Sequence, residues 1–354
     1  MIRSPRPAAF VCATAALLVL AGCSGSSHST KSAAPTPTPK TSPAPSSTAK
    51  GSKPAPKPKK PPRPLAVGPL TGGKPNAHGV VAVKIDDTAH GRPQLNIDQA
   101  DVVYIEQVEG GLTRLLAVFN SKLPSVEAVR STRASDPELL GSYGPIAYVA
   151  SGGARNPLSV LHRSPLKADI NDKGGPGFQR DGNRFAPYNL QANLYTIAKQ
   201  LRSPKARYVG YRWSAGSAVL KGRGPGRHVR TTVGSTPVAF DYFPKINRYA
   251  RYIDGSLQHT ASGKFISTPN VIVQFCSVTT YYKDIDVNHN PSKFTHTIGK
   301  GGVVVFRDGK RIYGTWQRKH YTGATRFADS KGKPIFLRPG GAWVVLVANG
   351  TRLG

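Results

Sequence analysis

Residues 83–133, VKIDDTAHGRPQLNIDQADVVYIEQVEGGLTRLLAVFNSKLPSVEAVRSTR, constrain what this chain can fold into more than any other stretch. Two β-rich runs, 101–108 and 112–119, flank Glu109-Gly110-Gly111. A glycine pair that tolerates positive φ between such runs signals a hairpin. Residues 79–85 read as a third strand ending in Asp86-Asp87, and residues 126–129 run into Arg130-Ser131-Thr132-Arg133. Charged groups therefore stand where strands end, held by a sheet yet open to solvent, as in sites carried on rigid scaffolds.

After residue 64 come 290 residues, enough for two domains or one large α/β body. Ser135-Asp136-Pro137-Glu138 sets capping side chains before a proline suited to a first helical turn, which predicts a short helix. Residues 145–150 read as another strand, ending in Ser151-Gly152-Gly153-Ala154-Arg155. Over 189–201, Leu190, Leu194, Ile197, Ala198 and Leu201 keep helical spacing and predict an amphipathic helix packed on the sheet. Residues 221–232, KGRGPGRHVRTT, lack apolar periodicity and read as a loop or domain boundary. Beyond them, 236–242, 248–253 and 271–278 read as strands, Asp308-Gly309-Lys310 between two β-runs signals a hairpin, and 343–347 closes the series. The expected class is α+β: an α/β domain with a mixed sheet over 65–225, then a mainly β domain over 226–354, a sandwich or half-open barrel.

The N-terminal end predicts how the body is held. Arg3 and Arg6 precede an apolar run over 8–20 that ends in Leu20-Ala21-Gly22-Cys23. A basic flank, a short apolar core and small residues before a cleavage point make a secretory signal over 1–22, too short to span as a mature helix. The LAGC ending resembles a bacterial lipobox, which implies that Cys23 carries the lipid; an uncleaved anchor with an incidental cysteine is the alternative. Residues 23–64 read as a disordered tether, dominated by Ser, Thr, Pro, Ala and Lys, without acidic residues or Phe, Trp and Tyr. Its proline content gives it a reach of roughly 120 Å fully extended and roughly 35 Å as a flexible coil. The expected location is the outer face of the cytoplasmic membrane, reached through an N-terminal lipid.

Residues 1–64 hold ten Lys or Arg and no acid, which leaves thirty-nine basic against eighteen acidic residues in the rest. So basic a body expects anionic neighbours, unless the charge is diffuse and only aids solubility. Nucleic acid is not an expected partner, since no helix-turn-helix, zinc-finger or ribonucleoprotein signature accompanies the charge. An anionic wall polymer of teichoic type, anionic headgroups or an envelope protein are the expected ones. Cys276, in the strand-like VIVQFCSV, is the one cysteine beyond Cys23, so no intrachain disulfide is expected and burial is the favoured reading.

Several separate runs carry a family resemblance. VKID (83–86), RPQ (92–94), QADVVY (99–104), EGGLTRLLAVF (109–119), VRSTR (129–133), FQRDGNRFAPYNL (178–190), NVIVQ (270–274), FRDGK (306–310) and GTW (314–316) resemble the YerB-like family of bacterial lipoproteins, over about 65–347. The resemblance implies a two-part extracytoplasmic lipoprotein and brings no biochemical activity with it. Similar proteins tend to have paired glutamates after the tyrosine, where this chain has Ile105-Glu106.

No P-loop, nucleophile elbow or HExxH motif is present. Asp86, Glu106 and Glu109 are the catalytic candidates, provided adjacent strand ends bring them together and their environments split their pKa values. Salt-bridging to Arg114 and Arg133 is the alternative. Arg114, Arg130, Arg133, Arg155, Arg180 and Arg184 are the ligand-binding candidates, because guanidinium forks grip carboxylates and phosphates. Their alternative is internal pairing with Asp86, Glu106, Glu109, Asp101 or Asp181. Ser151-Gly152-Gly153 offers backbone N–H groups to an anion or is a plain turn. His259, His289 and His296 lack metal-ligand spacing, so neither metal nor cofactor is expected. Trp213, Trp316 and Trp343, with Tyr208 and Tyr211, read as packing or as a sugar-stacking platform. The leading expectation is a membrane-tethered lipoprotein that binds an anionic envelope component or partner protein. The alternative is a hydrolase or transferase of envelope polymers working through Asp86, Glu106 or Glu109. Open carboxylates ringed by unpaired arginines would favour catalysis, and carboxylates buried in ion pairs would favour binding or structure.

Overall fold

The computed structural model describes residues 67–171, 175–286 and 288–354, all within one compact unit, Arg63–Gly354. The signal, Cys23 and the tether lie outside the described residues. In chain order the strands are β1 (Val81–Asp86), β2 (Val102–Gln107), β3 (Thr113–Phe119), β4 (Ser125–Glu127), β5 (Ala147–Ala150), β6 (Lys167–Ile170), β7 (Phe178–Arg180), β8 (Leu190–Asn193), β9 (Gly224–Pro225) and β10 (His228–Val233). They continue as β11 (Thr236–Phe243), β12 (Arg248–Ile253), β13 (Ser256–Leu257), β14 (Ser267–Thr268), β15 (Asn270–Ile285), β16 (Pro291–His296), β17 (Gly299–Arg307), β18 (Lys310–Arg318), β19 (Arg326–Asp329) and β20 (Ala342–Ala348). The α-helices are short: α1 (Asp136–Leu140), α2 (Arg155–His162) and α3 (Leu194–Gln200). The architecture is α+β and dominated by strands.

The Gly110-Gly111 signal marks a real reversal, with both glycines at positive φ between β2 and β3. β3 lies between β2 and β1, antiparallel to each, inside a mixed sheet ordered β19-β18-β17-β15-β20-β2-β3-β1-β5-β6. The pairings of β1 with β5, β5 with β6, β2 with β20 and β15 with β20 are parallel. Strands β1, β2, β5, β6, β15 and β20 therefore point the same way, and their C-terminal ends share one edge with the N-terminal end of β3. β16 joins this sheet through β15 and β9 through β18, and a five-stranded sheet of β10 to β14 and a small sheet β4-β8-β7 complete the described strands.

Both faces of the main sheet are covered, so β1 is buried along its whole length, as expected of strands enclosed on two sides. Val81, Val83, Ile85, Val103, Ile105, Leu115 and Ala117 pack with α3, β8 and the inner residues Val229, Phe240 and Tyr249 of the five-stranded sheet. On the opposite face Ala82, Val102, Leu116, Val118 and Tyr148 pack with Leu139 and Leu140 of α1 and Leu161 of α2.

Three local expectations change. The helix expected over 189–201 is a strand followed by a helix: β8 pairs with both β4 and β7, and α3 begins only where Asn193 caps it by accepting from the Thr196 N–H. The stretch 221–232 holds β9, which pairs with β18, and most of β10, whose Val229, Thr231 and Val233 alternate inward. The strands of 226–354 form neither a separate sandwich nor a barrel, since β15, β17, β18 and β20 extend the sheet begun by β1 to β3.

Candidate functional site

The period of two puts Lys84 and Asp86 of β1 and Glu106 of β2 on the α1 side of the sheet. Arg114 of β3 pairs across to both Asp86 and Glu106, so one row at the sheet edge reads Asp86, Arg114, Glu106. One step inward, the Lys84 ammonium donates to Glu106 and, at 2.6 Å, to Asp136 of α1. All three are fully buried. Asp136 also accepts from the Tyr148 hydroxyl at 2.6 Å, the Arg133 backbone N–H at 2.8 Å and the Thr132 hydroxyl at 3.1 Å. The Ser135 hydroxyl donates to Glu106 at 3.1 Å. Burial pulls the Lys84 pKa down to about 8 against the opposing charge of Asp136, and burial followed by the same carboxylate pushes the Tyr148 phenol well up. Such a network satisfies buried polar groups without presenting any of them to a substrate.

At the rim each remaining candidate carboxylate also has a cation. Asp86 accepts from Arg130 Nε at 3.0 Å and from the Thr88 backbone N–H at 2.8 Å. Glu109 accepts from Arg133 Nη2 at 2.5 Å and from the hydroxyl of Ser292, on β16, at 2.7 Å. Burial alone would raise the Glu109 pKa; the hydrogen bond and charge of Arg133, with Ser292 and Arg114, overcome it and bring the carboxyl to about 2. Asp284 of β15 is buried nearby, and burial raises its pKa.

Arg114 differs from its neighbours. Its Nη1 donates to the Ser131 carbonyl at 3.2 Å, as does Nη1 of Arg133, and among the described residues it has no carboxylate within 4.0 Å. Burial, then the charges of Arg133 and Arg130, pull its pKa down to about 9. Arg130 adds a guanidinium 5.0 Å from the Tyr188 ring centroid. Three arginines thus converge at the strand ends, two of them held by Asp86 and Glu109, while among the described residues the Arg114 guanidinium has donors not taken up by a carboxylate.

The other candidates lie apart from this trio in their bonding. Arg184 donates to the His90 and Arg92 carbonyls at 3.0 and 3.1 Å and sits 3.6 Å from Glu127, Arg180 donates to Asn189 at 2.7 Å, and Arg155 is exposed in the first turn of α2. Asp101 accepts from the Asn120 and Ser121 N–H groups rather than from an arginine. Sequence reasoning missed Lys84, Asp136 and the fully buried Asp87–Arg251 fork, with bonds of 2.9 and 2.7 Å. Lys84 left one usable signal, a cation at an interior position of an apolar strand. Among the described residues no group of three or more His, Cys, Asp or Glu side chains is disposed to hold a metal ion, and no helix is long and apolar enough to cross a membrane.

Comparison with known proteins places the chain in a family. Residues 69–207 match the family described as "Protein of unknown function (DUF3048) N-terminal domain", and residues 228–344 match the corresponding C-terminal domain. The chain is 27% identical over 284 residues to a Bacillus subtilis (strain 168) protein named "Putative lipoprotein YerB", covering 75% of this chain and 80% of that one. The crystal structure of YerB protein from Bacillus subtilis superposes with a TM-score of 0.69 at 22% identity, over 82% of this chain and 99% of that one, a likeness of fold.

Proposed function

The chain belongs to the YerB-like family, and from that premise we propose a lipid-anchored envelope protein that binds an anionic envelope component at the Arg114, Arg130 and Arg133 edge. Anchoring through Cys23 on the outer face of the cytoplasmic membrane is supported by the LAGC ending and by the lipoprotein name of the relative. The observation that carries the binding reading is Arg114: a guanidinium without a carboxylate partner among the described residues, held beside two others. Asp86 and Glu109 hold Arg130 and Arg133 in place, and Arg114 keeps donors for the ligand. Catalysis through Asp86, Glu106 or Glu109 has less support, because each carboxylate is engaged by a basic side chain and Glu106 is fully buried.

Poly(glycerol phosphate), titrated calorimetrically at two salt concentrations, tests this reading. Binding should weaken as salt rises, because exposed charges are screened over roughly 8 to 10 Å, while a contact at Arg114 persists. Arg114→Gln should then cost about 2 kcal/mol of binding at physiological salt. Lys310→Ala with Arg311→Ala, on the β17–β18 hairpin, should remove only salt-sensitive affinity. Equal, small losses from both would mean diffuse attraction and would defeat the proposal.

A further inference from the structure

A second surface has the makings of a binding site. A cleft of about 650 Å³ is lined by Tyr208, Tyr211, Trp213 and Phe336, with Arg212 and Arg326 among its other walls. That volume falls in the range that holds a small organic ligand, roughly 300–1,000 Å³. Pro339 in its wall leads into β20, whose first residue pairs with the first of β2, so the cleft lies toward the opposite strand ends from Arg114.

Its aromatic groups are fixed in advance. The Trp213 indole N–H donates to the Pro69 carbonyl at 3.2 Å, and Tyr211 meets the ring edge-on at a centroid distance of 5.9 Å. Gly72 packs so close that a Cβ there would stand 2.4 Å from the indole ring. Tyr211 is itself held, its hydroxyl 3.1 Å from that of Tyr104 and its ring stacked on Phe327. Tyr208, by contrast, is 49% exposed. Arg212 and Arg326 are exposed and make no ion pair among the described residues. Arg326 also borders an adjoining hollow lined by Lys319 and His320, which extends the basic wall.

We propose that this cleft binds a short segment of an acidic saccharide. The apolar faces of sugar rings would lie against Tyr208 and Trp213, and carboxylates on the rings would meet Arg212 and Arg326 bidentately. Charge complementarity selects this occupant: an apolar peptide would cover the aromatic rings but leave two guanidiniums desolvated without partners. A neutral glycan would use the rings and leave the arginines idle. This surface is separate from the Arg114 edge and stands whether or not that edge binds an anion.

Tryptophan fluorescence provides a local reporter, because Trp316 and Trp343 are buried at 2% and 4% exposure while Trp213 is partly exposed. Trigalacturonate should change the emission saturably. Tyr208→Ala should weaken that binding at least tenfold, and so should Arg212→Gln combined with Arg326→Gln. Tyr313→Ala, which removes an equally exposed tyrosine paired with Arg311 on β18, should leave it unchanged. Arg114→Gln should also leave it unchanged, which separates failure here from failure of the Arg114 site. No saturable response, an equal response to maltotriose, or loss of binding on adding equimolar inorganic phosphate would overturn the proposal.

Discussion

Replacing Lys84 by Met should destabilise the protein far more than replacing its partner Glu106 by Gln. In the native network one ammonium serves two fully buried carboxylates. Without it, Asp136 still accepts from Tyr148, Thr132 and the Arg133 N–H, whereas Glu106 keeps only the Ser135 hydroxyl. An uncompensated buried charge of that kind costs about 3 to 5 kcal/mol. Glu106→Gln leaves Lys84 paired with Asp136 and loses one charged hydrogen bond, which costs about 1.5 to 3 kcal/mol. The double substitution Lys84→Met with Glu106→Gln leaves only Asp136 without a cation, and its three remaining donors hold it, so it should be more stable than Lys84→Met alone by about 1 to 2 kcal/mol. Urea unfolding of the four proteins, extrapolated to water, measures the cycle. The deficit of Lys84→Met should also shrink as pH falls from 7 toward 5, because the orphaned carboxyl takes up a proton in the folded state before the unfolded chain does. A Lys84→Met cost below 1 kcal/mol, or a double variant less stable than that single one, would refute the account.

Glu109 should confer stability that depends on acid in a defined window: its folded pKa of about 2 lies below the ordinary 4.5, so the benefit is complete above 4.5 and is lost as pH falls through 2. The pH-dependent part of the difference between wild type and Glu109→Gln should therefore fall from about 3 kcal/mol at pH 7 to about 2 kcal/mol at pH 3.5, and a difference flat across that range in urea titrations would rule the Arg133 pairing out. Cys276, fully buried in β15 with burial pushing its thiol up to about 12, should remain inert to Ellman's reagent at pH 8 until urea unfolds the chain, and reaction under native conditions would show that the strand opens.

Local signals in the sequence carried the local structure. The β2–β3 reversal was legible because the glycine pair occupies positions with positive φ, and Asp308 and Gly309 do the same between β17 and β18. Residues 190–193 were misread because Leu190 and Leu194 suit a helix while Leu190 and Ala192 equally suit a strand; pairing with β7, close by in the chain, and with β4, more than sixty residues earlier, decided between them. In β10 the alternation of Val229, Thr231 and Val233 was present but masked by the surrounding glycines and arginines. The place of β20 between β2 and β15 had no local signal at all, since a parallel pairing joins residues 102–105 to 342–345 with nothing in either run to name the other. At the site, Arg130 and Arg133 were legible as residues following a strand, and Arg114 as one following a glycine turn. Pairing with Asp86 and Glu109 stood among the alternatives, but which carboxylate meets which arginine did not, because it depends on where residues 128–133 lie against β1 and residues 150–152.

The buried network and the arginine edge act as one construction. The segment carrying Arg130 and Arg133 is stitched between β1 and β5: the Arg130 N–H donates to the Lys84 carbonyl, the Asp86 N–H to the Ala128 carbonyl, the Ser151 N–H to the Arg130 carbonyl and the Thr132 N–H to the Gly152 carbonyl. Asp136 then fixes its far end by accepting from the Arg133 N–H and the Thr132 hydroxyl, and Lys84 neutralises Asp136 from below. Holding three guanidiniums together opposes their mutual repulsion, which this backbone lattice and the Asp86 and Glu109 pairs offset before any ligand arrives. An anion would meet donors already in place, so the ordering cost of binding is met in folding. On the proposed anion-binding reading, Lys84 would act as a positioning residue through Asp136, and changes to it should weaken anion binding in proportion to how far residues 130–133 lose their register.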